Sequence, residues 1–432
     1  MGNFVSIGEL FNLKKGELQS TKCNPGEYDF ITAAENWKTH HEYDHECEAL
    51  IIAVAASGSL GRTHYVDGKF ISSDLCFILT PKNEKKYPLN LAFYHFVFNS
   101  LRPILVTATK SGTSKESINQ ANFKKYKLPY FDIEQQDLWI EKLKNTLVRK
   151  NLLGSELTHQ QTMLKKLRQQ ILQEAIEGKL SKDWRTENPD VEPAGELLKR
   201  IQTEKEQLIK DKKIKNQKPL LPISEKEKPF ELPVGWVWCR FGDYALFERG
   251  KFSIRPRNDS SCFGGSYPFI QIGSLDDSGS VITKSRQTLN EKGFAASKLF
   301  EKGTVLVAIV GGTIGNLGVL GKDMCFSDSM IGVRPKQLTS QAYILMLLRH
   351  YQPLVRELSY QMAGQPNIKL PTLNNLTCAL PPLSEQKTIV TKVEKLLTVC
   401  NQLENQIIGN QGHAEQLMSA VLKEAFSQSS EQ

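Results

Sequence analysis

The sequence predicts an α+β protein: two tandem α+β globules, each followed by a long helix, with the two helices packing on each other. Three observations lead there. A stretch of about forty residues near the middle of the chain returns near its end at a constant offset of 250 residues. In both copies the apolar positions fall three or four apart, or at sums of those steps, which is helical spacing. The segments ahead of the two copies alternate short apolar runs with Gly/Ser/Asp turns, and they share blocks at a second offset, 254.

The first globule, residues 1–128, contains the apolar runs Ala49 to Ala56 and Phe77 to Leu79 and the turn Gly58-Ser59-Leu60-Gly61. The first long helix, 129–180, places Ile140, Leu143, Leu147, Leu157, Leu164 and Ile171 on its packing face. A linker, 181–234, includes a short helix from Pro193 to Asp211 and a Pro-rich tail, Lys218 to Ile223. Between Lys199 and Lys218 it carries eight Lys/Arg against three acids, which suits a solvated charge run. The second globule, 235–379, repeats the first in Gly312-Thr313-Ile314-Gly315 and in Ser327-Asp328 through Pro335, while Trp238 to Gly250 parallels Phe4 to Gly16. The second long helix, 380–432, repeats the packing face with Val390, Val393, Leu397, Ile407 and Val421.

One constant offset aligns Gln136 with Gln386, Ile140 with Val390, Leu147 with Leu397 and Ile171 with Val421. A long helix enforces such constancy, because one extra residue turns everything beyond it by about 100°. Helices of about 40 residues reach about 60 Å and cannot hide an apolar stripe alone. Ser384 is the expected N-cap of the second helix, with Glu385 as a first-turn acid. Gly154, Gly409 and Gly412 are expected kink positions.

Composition bounds the function without choosing it. The chain has 432 residues, 40% of them hydrophobic, with 55 Lys+Arg against 47 Asp+Glu for a net charge of +8. That describes a folded protein with a modest basic excess, compatible with a nucleic-acid partner but common at this size. No apolar run approaches the ~18 to 20 residues that span a bilayer, so no membrane role is expected, and no charged hydrophobic leader opens the sequence. The eight cysteines are scattered without a CxxC pair, which argues for reduced thiols rather than a zinc knuckle or a disulfide framework.

Three short motifs are weak. His41-Glu42-Tyr43-Asp44-His45 fits HExxH, but its surroundings look like a polar loop entering a buried strand rather than a metal-binding helix. Gly311 to Gly318 follows an apolar run yet has neither GxGxxG spacing nor the lysine and hydroxyl of a phosphate loop, so a glycine-rich turn is expected. Met1-Gly2-Asn3-Phe4-Val5-Ser6 fits a myristoylation pattern that matters only in a eukaryotic cell. No methyltransferase or nuclease constellation is apparent.

Four strings carry a resemblance to a known family: LPPLSEQKTIVTKVEKLL (380–397), LRQQILQEAIEGKL (167–180), EPAGELLKRIQTEKEQLIK (192–210) and KPFELPVGWVW (228–238). With the repeated globule blocks, the chain resembles the specificity subunits of type I restriction–modification enzymes over essentially its whole length. The first helix entry departs from the pattern: Leu128-Pro129 lies eight residues before Gln136, against six for Leu380-Pro381 before Gln386, and Pro-Pro is missing. The resemblance implies two target-recognition domains, each reading one half of an asymmetric bipartite site in double-stranded DNA. It implies an antiparallel pair of helices that sets the gap between the halves. It further implies methylase subunits (two of them) docked on the helical regions, a restriction/translocase subunit, and a bacterial or archaeal cytoplasm. The chain itself is then not an enzyme and holds no cofactor; S-adenosylmethionine, ATP and Mg belong to the partner subunits, and the methylase flips the target base.

Base and phosphate contacts need Arg, Lys, His, Asn, Gln and Ser side chains on loops. In the first globule the candidates are Arg62, His64, Lys110, Ser111, Lys115, Asn119 and Gln120. In the second they are Lys251, Arg255, Arg257, Gln271, Ser274, Asn316, Gln365, Asn367 and Lys369. Two rival classes remain: a coiled-coil adaptor with two protein-binding globules, and a metal-dependent enzyme using His41 and His45. Sequence-preferring DNA binding discriminates against the first, metal analysis against the second.

Overall fold

A computed structural model describes residues 3–55, 58–112, 116–212, 214, 219–335, 338–360 and 367–428. The chain divides into two compact units, residues 1–160 with 406–432, and residues 161–405.

In the first unit a six-stranded sheet runs in the order Phe11–Lys15, Cys76–Pro81, His45–Ala53, Thr63–Ser72, Tyr28–Ile31, Lys38–His40. Its pairs are antiparallel except Tyr28–Ile31 with Thr63–Ser72. The apolar run in the His45–Ala53 strand is explained by burial of both faces. Leu50 and Ile52 join one core with Phe11, Tyr94 and Phe98, whereas Ala49, Ile51 and Ala53 join another with Val66 and Phe70. Alternate residues of a strand point to opposite faces, so a strand covered on both sides must be apolar throughout. Helix α1 (Leu91–Thr109) packs on the first face, with the Phe11 ring 5.6 Å from that of Tyr94 and 5.8 Å from that of Phe98. Asn90 caps α1 by accepting the Phe93 N–H at 3.1 Å.

A separate ribbon pairs Asn3–Ser6 antiparallel with Lys127–Tyr130 and delivers the chain to α2 (Ile133–Ile176). In the second unit the corresponding ribbon pairs Val237–Arg240 with Thr377–Leu380. Between those strands lie a five-stranded sheet (Leu246–Arg249, Met330–Arg334, Val305–Ala308, Leu317–Leu320, Val281–Ile282) and a four-stranded sheet (Gln287–Leu289, Phe263–Ile270, Met324–Phe326, Leu299–Phe300). The two globules therefore share a frame but not a sheet.

The linker carries α3 (Ala194–Lys210), which is not the wholly solvated run its charge suggests. Ala194, Leu197 and Ile201 are buried along one stripe, and the Lys205 ammonium donates to the Gly242 carbonyl at 3.0 Å. The linker tail is also fixed: the Arg240 guanidinium donates to the carbonyls of Leu221 and Pro222 and pairs with Glu227 at 2.7 Å. Lys213, Lys215 and Lys218 lie outside the described residues.

Helix α4 (Gln341–Tyr360) lies 250 residues beyond α1 and carries Pro353 where α1 carries Pro103, so the constant offset extends back through this helix as well. Helix α5 (Leu383–Gln428) completes the chain. Both long helices run through their glycines without a break at Gly154, Gly409 or Gly412. At the end of α2, Gly178 takes a left-handed φ of 70°, and a Cβ there would meet Pro233 and Arg185.

Along the long helices a buried stripe recurs at multiples of seven residues: Leu143, Leu157, Leu164 and Ile171 on α2, and Val393, Cys400, Ile407 and Ala414 on α5. Further buried residues flank it where the helices meet the globules and linker, among them Gln136, Ala175, Gln386 and Ile389. A repeat of seven holds one stripe toward a partner helix. The helices pair antiparallel. In the first unit Lys142 meets Glu424 at 2.9 Å, and Val421 packs on the cluster that includes Ile140 and Leu143. In the second, Arg168 donates to Asn401 at 2.7 Å and to Glu404 at 2.8 Å. Val390 is also buried, but Leu397 is only half-buried and Leu147 is exposed. Those two sit four residues past Leu143 and Val393, off the sevenfold stripe, so helical periodicity alone overstated the packed face.

The entry to the second long helix corrects the expected N-cap. Ser384 lies inside α5 and is exposed, so it is not the N-cap, while Glu385 is a first-turn acid as expected and is buried. Asp132 caps α2, its carboxylate accepting the Gln135 N–H at 2.8 Å. By the offset of 250, Asp132 occupies the place of Pro382, and Pro129 is a strand residue with no counterpart in the Pro-Pro pair.

Candidate nucleic-acid interface

Each globule presents a glycine turn held from behind by its central helix. In the first, Gly58 and Gly61 both take φ of 77°, and Arg102 of α1 donates to the Leu60 carbonyl at 2.7 Å and the Gly58 carbonyl at 2.8 Å. A Cβ on Gly61 would stand 2.5 Å from Val106, so only glycine fits under the helix. In the second, Gln352 and Arg356 of α4 donate to the carbonyls of Gly315 at 2.9 Å and Ile314 at 3.1 Å. Gln352 stands 250 residues beyond Arg102, so one helix position clamps the turn in both globules. In the second turn the N–H groups of Ile314, Gly315 and Asn316 are spent on the carbonyls of Gly311, Ala308 and Thr313, so they do not form the free donor set of a phosphate cradle.

The predicted contact residues separate into free and committed groups. In the first globule Lys110 pairs with Glu116 at 2.7 Å beside exposed Ser111, and Gln120 is exposed. Arg62 is half-buried, donating to the Ala33 carbonyl at 3.1 Å and to Ser59 at 3.2 Å. His64 is a correction: it lies buried in the Thr63–Ser72 strand, where its Nδ1 accepts the Trp37 indole N–H at 3.2 Å, and burial holds its pKa below the ordinary histidine value. Asn119 is committed to capping the short helix Gln120–Lys125, accepting the N–H groups of Ala121 and Asn122. Lys115 lies outside the described residues.

In the second globule Lys251 and Lys369 are exposed. Arg255 and Arg257, each about half exposed, both grip the Asp328 carboxylate, at 3.1 Å and 2.7 Å. Gln271 donates to Gln287 at 2.8 Å, with half-buried Ser274 three residues on. Asn316 is spent on the glycine turn, donating to the Leu275 carbonyl and accepting from Arg356. Asn367 is half-buried and bridges to Val310; Gln365 lies outside the described residues.

Neither His41 nor His45 is on a helix. His41 follows the Lys38–His40 strand and His45 opens the next one, its Nδ1 against Asp44. The ligand atoms that gather among the described residues are those of His40, His41 and Glu42. The Nδ1 of His40 accepts the Asn24 N–H at 3.1 Å, which leaves the proton of the neutral ring on Nε2 and removes its lone pair from metal binding. The HExxH spacing thus does not translate into the face-sharing histidine pair that a zinc helix provides.

Two glutamines escaped notice as functional parts. Gln136 is fully buried at the start of α2, donating to the carbonyls of Phe131 and Pro88 and accepting the Asn90 N–H at 2.7 Å. Gln386, also fully buried, donates to the Pro381 carbonyl and accepts the Tyr244 hydroxyl at 2.8 Å. Each ties a long helix to the globule ahead of it. The signal was their exact alignment at the offset of 250, where a polar residue stands first in the sevenfold apolar register.

Comparison with known families fits this duplicated frame. The model of the type I restriction modification DNA specificity domain matches residues 3–153 and 233–410. The chain belongs to that family. The specificity subunit of the type I restriction enzyme EcoEI from Escherichia coli is 33% identical over 269 residues, covering 60% of this chain and 43% of the relative. The chain thus spans less than half the length of that relative. The EcoDI specificity subunit from Escherichia coli is 24% identical over 435 residues, covering 98% of this chain and 87% of that one. A solved chain from a study of complex assembly and conformational transition in a type I R-M system superposes with a TM-score of 0.69 at 19% identity, covering 98% and 97% of the two chains. The HsdS subunit from Thermoanaerobacter tengcongensis gives 0.55 at 17% identity, covering 98% and 96%. These likenesses establish a specificity-subunit fold, and no helix among the described residues is long and apolar enough to cross a membrane.

Proposed function

We propose that this chain is the DNA-recognition and scaffold subunit of a type I restriction–modification complex, reading an asymmetric bipartite site with one half assigned to each globule. The observation that carries this reading is the pairing of a repeated frame with dissimilar contents. Both globules have the same strand ribbon, clamped glycine turn and buried glutamine, yet one encloses a six-stranded sheet and the other two smaller sheets. A duplicated mount with dissimilar inserts suits two readers of different sequences on one support. Exposed Lys110, Gln120, Lys251, Lys369 and the Arg255/Arg257 pair supply the base and phosphate donors such readers need.

Methylation and cleavage belong, on this reading, to partner subunits that bring S-adenosylmethionine, ATP and Mg. Exposed apolar side chains along the helices support a docking role. In the first unit these include Val148 and Leu152, four residues apart on α2. In the second they are Met163 and Leu167 on α2, and Leu396, Val399 and Leu403 on α5. Two methylase subunits, one for each repeat of the frame, follow from the duplication.

The test is co-expression with the cognate methylase and mapping of modified bases across a genome. A bipartite motif with two unrelated halves is expected. Methylation without sequence preference, or none in a complex that assembles, overturns the reading.

A further inference from the structure

The second globule contains a pocket of about 270 Å³ in which Gln271, Ser274, Arg286 and Gln287 stand beside the apolar Phe269 and Ile270. It opens where the Phe263–Ile270 strand ends beside the start of the Gln287–Leu289 strand, with Phe269 opposite Gln287 in the ladder. Gly273 leaves it room: a Cβ there would meet nothing within 4 Å.

Two features mark this pocket as a place for a ligand rather than a surface dimple. The first is Arg286. The second globule has eight arginines, at 240, 249, 255, 257, 286, 334, 349 and 356. Seven donate hydrogen bonds to carbonyls or carboxylates. Among the described residues Arg286 alone makes none, and its side chain is exposed at the pocket wall. An arginine with its five donors unspent is the one available to a partner.

The second feature is the pair of amides. Gln271 donates one Nε2–H to Gln287 Oε1 at 2.8 Å. That bond restrains the Gln271 amide and leaves its Oε1 and one N–H without a partner. The acceptor and donor of a glutamine amide match the N6–H and N7 of adenine in the major groove, as a guanidinium fork matches the O6 and N7 of guanine.

We propose that Gln271, oriented by Gln287, reads an adenine and that Arg286 reads a neighbouring guanine in the half-site of the second globule. The proposal rests on the DNA-recognition reading above and assigns it three residues, two of which, Arg286 and Gln287, sequence analysis did not single out. Gln287 is a positioning residue, because it acts through the Gln271 amide.

The experiment uses the full chain assembled with its methylase. Arg286→Ala, Arg286→Lys, Gln271→Ala and Gln287→Ala are each mapped by genome-wide methylation. Arg286→Ala is expected to relax discrimination at one guanine by about tenfold to a hundredfold. Gln271→Ala should relax a nearby adenine, Gln287→Ala that same adenine to a smaller degree, and the other half-site should remain intact. Arg286→Lys keeps the charge but loses the fork, so base reading predicts relaxed discrimination at the same guanine. Unchanged base preference in both Arg286 variants, with or without a uniform fall in methylation, overturns the proposal, since that is how a phosphate contact behaves. Relaxation in the half-site read by the first globule overturns it as well. Wild-type methylation lacking any sequence preference overturns the DNA-recognition reading itself.

Discussion

Arg185 donates to the buried carboxylate of Glu385 at 2.6 Å, and the two residues stand 200 apart in the chain. The same carboxylate accepts the Ser181 hydroxyl at 2.7 Å and the Trp236 indole N–H at 2.9 Å. The end of α2, the start of the linker, the entry to the second globule and the start of α5 therefore converge on one acid. Removing one partner of a buried pair leaves an uncompensated charge, so Glu385→Ala should cost about 3 to 5 kcal/mol. Urea denaturation reads the loss, and amide exchange should rise around residues 178–190. A variant within about 0.5 kcal/mol of wild type would show the cluster to be dispensable.

Gln136 and Gln386 predict a matched pair of local effects. Each leaves buried donors and acceptors unsatisfied when truncated, at about 1 to 3 kcal/mol. Gln136→Leu should loosen residues 88–94, and Gln386→Leu the Tyr244 region, each without disturbing the other. Hydrogen exchange resolved by peptide tests the separation.

His350 gives a pH limb. Burial pushes its pKa down to about 4, against the opposing pull of Glu177. The ring is neutral when folded but accepts a proton below pH ~6.5 when unfolded. Its contribution is therefore complete above ~6.5 and lost as pH falls toward about 4, at most about 3 kcal/mol over that window. Urea midpoints at pH 7.5 and 4.5 should converge in His350→Gln relative to wild type. An unaltered acid limb would assign it to other groups.

The sevenfold stripe predicts how the helices tolerate length changes. Seven residues inserted after Leu157 and after Ile407 keep every buried position in register and lengthen each helix by about 10.5 Å. The gap between half-sites should grow by about three base pairs, at about 3.4 Å each, with both halves unchanged. Seven in one helix alone should destabilise the pair. An unchanged gap in the double insertion would defeat the ruler idea.

Replacing residues 1–128 with the matching segment of a divergent relative should change one half-site only. Methylation mapping of the chimera gives the answer, and a change in both halves would contradict independent reading.

Much of this protein was legible in its sequence because helices keep count. An offset of 250 cannot survive insertion, so the repeat exposed both long helices, and their apolar spacing showed that they must pack. It also placed Gln136 opposite Gln386, though not what they bond. The globules were legible only as alternating runs and turns, since strand partners are set by contacts distant in sequence. Nothing local says that Leu50 and Ala49 face different cores, that His64 points inward, or that Asn119 is a cap.

The sequence by itself determined the duplicated plan, the helix pair and the family resemblance, all properties of periodicity and local strings. Only the tertiary structure decided which polar residues are committed. Arg255 and Arg257 share Asp328, Glu385 gathers Ser181, Arg185 and Trp236, and Arg286 stays unpaired at a pocket wall. A side chain's availability depends on which donors and acceptors the fold brings within about 3 Å, and a sequence does not display that distance.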